Sequence, residues 1–154
     1  MKMTASDIAT YPKFAHYVQH DFPRLIHVKL VVHNLKTEGS LTDAQIRHAL
    51  VWGADPMILI TDLSHGQCGV PSAYGCTRKA SPDQIEIDEG TVKDFERSPY
   101  ALGVGKNATG TNVFIVGATL LHELCHLGNY GHRKAERTEA GFAFETATYG
   151  KSIP

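Results

Sequence analysis

The chain has little of what marks several large protein classes. No stretch of about 18 consecutive apolar residues occurs, so no membrane-spanning helix is expected. There is no block or stripe of lysine and arginine, and the formal net charge is −1, which makes nucleic acid a poor candidate partner. The opening stretch, MKMTASDIATYPKF, lacks the apolar core of a signal peptide. Synthesis in the cytoplasm is expected, with any export by another route. Cysteine is scarce: three residues cannot staple a disulfide scaffold. Gly103, Gly105 and Gly110 form a glycine-rich stretch, but no lysine-serine/threonine sequel follows, so a phosphate loop is not expected.

What is present suits one folded domain over residues 1–154, with 42% apolar and 20% charged residues. Residues 1–11 read as a loose arm. Pro12 opens a short helical segment, KFAHYVQH. Asp21-Phe-Pro23 starts a second, in which Leu25, Val28, Val31 or Val32, and Leu35 recur at helical spacing, with a strand as the alternative for this valine-rich run. Ser40 or Thr42 can cap a third helix, LTDAQIRHALVW, which Gly53 to Pro56 ends. Met57–Leu63 and Gln84–Asp88 are strand candidates, and Asp88 can cap a helix, EGTVKDFERS, with Val92 and Phe95 facing inward. The segment Pro99 to Thr111 reads as a flexible glycine-rich loop, and the charged run RKAERTE (133–139) as a solvated helix face.

The stretch that organises the rest is Thr119 to His132, TLLHELCHLGNYGH. His122 and His126 stand one turn apart on a helix face, about 40° from each other. Two imidazoles at that spacing can hold one Zn²⁺, with Glu123 beside them as a general base for a water molecule. The apolar run Val113–Leu121 leads into the motif as a helix buried behind an active site would. Gly128-Asn-Tyr-Gly131 is expected to break the helix and swing His132 back as third ligand. These residues predict a zinc-dependent peptidase centre. Farther on, Glu145 and Tyr149 share a helix face. Glu145 is expected either to fix the Nδ1–H of a liganding histidine or to replace His132 as third ligand. Tyr149 is the candidate hydrogen-bond donor to the oxyanion, with Tyr130 competing for that role.

Two resemblances carry this further. The pattern HExxHxxNxxH, His122 to His132, resembles the extended zinc motif of the metzincin-like peptidases, with Asn129 where that pattern has glycine. Asn tolerates the left-handed conformation that the glycine adopts. The metzincin methionine turn has no counterpart, since Met1, Met3 and Met57 are the only methionines. More closely, His122 to Gly150, with Gly141-Phe-Ala-Phe-Glu-Thr-Ala-Thr-Tyr-Gly150, resembles the metallopeptidase domains of bacterial polymorphic toxins and type VI secretion effectors. The likeness extends loosely upstream through Trp52-Gly-x-x-Pro56 and Gln84–Asp88. It implies an α+β, zincin-like fold with a small sheet over the active-site helix. It also implies a protein or peptide substrate lying along a strand edge, delivery by a secretion system into a target cell or its periplasm, and a cognate immunity protein. A peptidoglycan-peptide hydrolase and a non-enzymatic structural zinc module are the alternatives.

The cysteines give one further expectation. Cys68 and Cys76 flank CGVPSAYGC, whose Gly69, Pro71 and Gly75 can turn the chain back on itself. A Cys68–Cys76 bridge with Cys125 as a free buried thiol is predicted for an oxidising compartment; two further free thiols are the alternative.

Overall fold

A computed structural model describes residues 1–66, 68–131 and 139–153. The chain begins with a two-residue strand, β1 (Lys2–Met3), and a short helix, α1 (Ala5–Thr10), which Thr4 caps by accepting from the Asp7 amide. The first residues are therefore not a loose arm. β1 pairs in parallel with the next strand, and Met1 and Met3 are buried in the core. The apolar Met-x-Met alternation carries that placement, because every second residue of a strand faces one side.

Pro12 starts α2 (Pro12–His16), which runs on through a π-helical turn at Tyr17–Asp21 and a 3₁₀ segment at Phe22–His27. Val28 is extended (φ −89°, ψ 97°), so the expected single helix is split, and α3 (Lys29–Thr37) follows. The strand alternative for this run does not occur. Helix α4 (Asp43–Leu50) is capped by Thr42, whose hydroxyl accepts from the Gln45 amide while the Gln45 side chain accepts from the Thr42 amide. This reciprocal pair satisfies two donors that a helix start otherwise leaves open.

The main sheet has the order β1-β2-β4-β3. β2 (Met57–Thr61) and β4 (Gln84–Asp88) run parallel, with Ile58 opposite Ile85 and Ile60 opposite Ile87. Ile58, Ile85 and Ile87 are fully buried. β3 (Gly75–Cys76) lies antiparallel on the outer side of β4. Asp88 accepts from the Thr91 amide and so caps α5 (Glu89–Arg97), whose Val92 and Phe95 enter the core.

The glycine-rich stretch is not simply a flexible loop: β5 (Val104–Lys106) and β6 (Asn112–Phe114) form an antiparallel hairpin. The hairpin hands the chain directly to α6 (Ile115–Gly131), the long helix beneath the sheet. Val116, Leu120, Leu121 and Leu124 of α6 are buried. Helix α7 (Ala140–Tyr149) packs alongside it and ends at Gly150, which is left-handed. The architecture is mixed α+β, compatible with a small zincin-like domain. Among the described residues, no helix is long and apolar enough to cross a membrane.

Candidate metal centre

Helix α6 carries His122, Glu123 and His126, and it does not end where the Gly128-Asn-Tyr-Gly131 stretch predicts. All four residues are helical, and Asn129 does not take the left-handed conformation. Asn129 instead donates from Nδ2 to the Glu38 carbonyl at 3.1 Å. One residue earlier, Gly128 meets the loop after α3 so closely that a Cβ would sit 2.0 Å from the Gly39 carbonyl oxygen. Stiff, buried docking keeps the helix going where composition suggests a break. His132 lies outside the described residues.

The group that approaches both histidines is Glu139. Its Oε1 is 3.1 Å from Nε2 of His122 and in direct contact with Nε2 of His126. Its other oxygen, Oε2, accepts from the Phe142 amide at 2.6 Å, so the same carboxylate caps α7. Glu139 is thus not part of a solvated helix face, as the run RKAERTE suggests; residues 133–138 of that run lie outside the described residues. Ligand atoms of His122, His126 and Glu139 all fall within 4.8 Å of one another. Two imidazoles from α6 and a carboxylate from the residue before α7 are a donor set that suits a divalent ion such as Zn²⁺.

Glu145 stands behind this group. Its Oε1 is 2.7 Å from Nδ1 of His122, while its Oε2 accepts from Ser152 Oγ at 2.8 Å and from the Ile153 amide at 2.7 Å. The carboxylate is only 4% exposed, and these partners fix it facing away from the metal-side nitrogen. Gly141 makes the arrangement possible. A Cβ there would lie 2.1 Å from Cδ2 of His122, so any side chain would displace the ring.

The electrostatics follow from this crowding. Burial works against a charged His122, but hydrogen bonds to Glu139 and Glu145 outweigh it and push its pKa up to about 10 in the metal-free protein. Burial also disfavours a charged Glu139; its hydrogen bonds from His122 and His126 prevail and hold it well below the usual carboxylate range. Glu123, 5% exposed, is shifted upward because burial outweighs the nearby histidines and its hydrogen bond. That hydrogen bond comes from Thr77, whose Oγ1 lies 2.8 Å from Glu123 Oε2 and 3.3 Å from the Glu123 carbonyl oxygen.

These residues floor a cleft of about 550 Å³. Its lining also includes Tyr74, Gly75, Thr77, Tyr130 and Phe142. Phe142 is half exposed and sets its edge against the His122 ring, with centroids 5.1 Å apart. Tyr149 is not among the lining residues. The Tyr149 ring packs edge-on against buried Phe144, with centroids 6.2 Å apart. Tyr74 and Tyr130 are the tyrosines among the cleft-lining residues, and Lys79 Nζ lies 5.2 Å from the Tyr130 ring centroid. A disulfide joins Cys68 to Cys76 beside the cleft, and Cys125 is buried and takes no part in that bridge.

Glu139, Gly141 and Ser152 are absent from the sequence-based site. A glutamate immediately before the apolar Ala140-Gly141-Phe142 was the available signal for the first. Glutamate is an uncommon helix cap, so the charge merges with the run before it.

A family model described as metallopeptidase toxin 3 matches residues 7–150. No curated protein and no solved structure matches the chain.

Proposed function

The chain belongs to the metallopeptidase toxin 3 family, and from that membership and the geometry of the cleft we propose a zinc-dependent peptidase in which His122, His126 and Glu139 hold the metal. The observation that carries the reading is the convergence of those three side chains at the floor of an open cleft, with Glu123 alongside. When bound, the ion supplies Lewis acidity, which lowers the pKa of water and polarises a carbonyl.

The chain's own residues do the rest. Glu123 is hydrogen-bonded to Thr77 rather than to the histidines, which leaves it free to take the proton of the attacking water and later deliver it to the leaving amine. Its upward-shifted pKa suits a group that must both accept and release a proton near neutrality. Glu145 holds the Nδ1–H of His122, which fixes the tautomer that turns Nε2 toward Glu139. Tyr130, on the cleft wall, is the donor toward the oxyanion. An extended peptide would lie along β3, which borders the cleft at the edge of the main sheet. His132 is the rival third ligand.

A structural zinc site closes its fourth position with a protein group. Cys125 is buried away from the cleft lining, and Glu145 is occupied by Ser152 and Ile153, which favours catalysis. The family's toxin character supports delivery by a secretion system into a target cell, and a cognate immunity protein in the producer.

Zinc-loaded protein incubated separately with unfolded protein and with purified sacculi tests the substrate class. Cleavage of the unfolded protein is expected. Peptide release from sacculi alone would make the substrate cell-wall peptide, and inertness toward both would contradict the enzymatic reading.

A further inference from the structure

The proposed base, Glu123, takes its hydrogen bond from the residue that follows β3, a short strand at the edge of the main sheet. Strand β3 is two residues long, and its ladder to β4 consists of Gly75 opposite Ile87 and Cys76 opposite Glu86. The Asp88 amide adds one bond to the Tyr74 carbonyl at 2.9 Å, and Arg78 pairs with Glu86 through Nε and Nη2 at 2.6 and 2.9 Å on the exposed side. Gly75 lies so close to α6 that a Cβ would stand 2.8 Å from Glu123 Oε1 and 2.6 Å from Thr119 Cγ2. The next two residues complete the device. Cys76 is covalently tied to Cys68, and Thr77 donates to Glu123 Oε2.

A buried carboxylate without a donor is costly, because nothing replaces the water it has given up. Thr77 is the side chain that meets this need from across the cleft. The bond closing residues 68–76 also ties β3 down, and beside it two backbone pairs, one further amide bond and one exposed ion pair are a slender hold, since even an isolated two-stranded hairpin is marginal in water.

We propose that Thr77 is the positioning residue of the Glu123 carboxylate, and that the Cys68–Cys76 disulfide makes this contact conditional on oxidation, so that the peptidase is switched by thiol–disulfide exchange. The exchange balances as follows. A dithiol attacks the disulfide, gives up two electrons and two protons, and leaves as its own disulfide, while Cys68 and Cys76 become thiols. Released from Cys68, β3 leaves β4 and Thr77 leaves Glu123. His122, His126 and Glu139 sit on α6 and at the start of α7, outside the segment that moves, so the metal stays. A reducing cytoplasm would hold the protein in its low-activity form, and in an oxidising compartment exchange with a disulfide oxidant, which takes up the two electrons and two protons and leaves as a dithiol, would restore it.

This inference rests on the peptidase reading, and its test separates the two. The zinc-loaded chain is compared oxidised, reduced by a dithiol set and desalted, and as Thr77→Val and Thr77→Ser, with metal content checked by elemental analysis. Thr77→Val should lower kcat about 10²-fold, as misplacement of a reacting group does, with KM and metal content unchanged, and Thr77→Ser should restore it. Reduction should lower wild-type kcat to the same level and add nothing to Thr77→Val. Independently of activity, hydrogen exchange across residues 74–78 should accelerate on reduction while the segment around His122 stays protected. Equal kcat in oxidised and reduced protein, or Thr77→Val within a few-fold of wild type, overturns the proposal. Unchanged exchange at residues 74–78 also overturns it, even if the protein cleaves nothing. Inertness of the oxidised, metal-loaded wild type speaks only against the peptidase reading, and the exchange measurement still decides the switch.

Discussion

Glu123, Glu139 and Glu145 are three carboxylates gathered around the His122–His126 pair, and their different partners suit them to different roles. Glu123 answers to Thr77, Glu139 to Nε2 of both histidines, and Glu145 to Nδ1 of His122. Glu123→Ala should therefore leave metal content and folding intact while activity falls roughly 10²–10⁴-fold; circular dichroism, elemental analysis and a peptidase assay check it together. Glu139→Gln should weaken metal binding more than Glu145→Gln, whose cost is that of a supporting partner, about 10–100-fold in affinity. A competition titration ranks them, and His132→Ala belongs in the same series. The metal-free protein carries a pH signature as well. His122 is raised from 6.5 to about 10, so its contribution to stability is complete below the unfolded value and is lost as pH rises through the folded one. The thermal midpoint of metal-free protein should decline across that interval, and Glu139→Gln should flatten the decline. That His122 and His126 stand one turn apart on a helix with Glu123 beside them was legible from spacing alone. Glu139 was not, because its pairing is made by folding α7 back onto α6, which nothing local to the residue encodes.

At the scale of elements, capping chemistry was the most faithful guide. Thr42 with Gln45 and Asp88 with Thr91 start helices where the sequence says they do. The break at Val28 escaped notice because a 3₁₀ segment repeats every three residues, so Leu25, Val28 and Val31 keep helical spacing across it. The β5–β6 hairpin escaped because its strands are three residues each, too short to alternate visibly. The helical course of residues 128–131 is the most instructive departure. Gly128 and Asn129 read locally as a turn, yet one gives room to the Gly39 carbonyl and the other binds that of Glu38. Gly128→Ala should accordingly destabilise the protein by about 1–3 kcal/mol through overpacking, whereas alanine on an exposed helix would stabilise. Urea unfolding of the metal-free chain measures the sign.

For the whole molecule, the zinc-helix pattern and its downstream segment indicated an α+β metallopeptidase toxin, and the family match over residues 7–150 agrees. The sheet order depends on contacts distant in sequence, whereas the Cys68–Cys76 bridge is a local pairing that the cysteine spacing and the turn residues between them predict. In the peptidase reading, helix α6 and the residue just before α7 together build one metal centre. Anomalous diffraction at the zinc edge, on crystals of zinc-loaded protein, locates the ion. One ion is expected between Nε2 of His122, Nε2 of His126 and the Glu139 carboxylate, with Glu123 off the metal and still hydrogen-bonded to Thr77. An ion held by His132 with Glu139 turned away, or no ion at the two histidines, would contradict it.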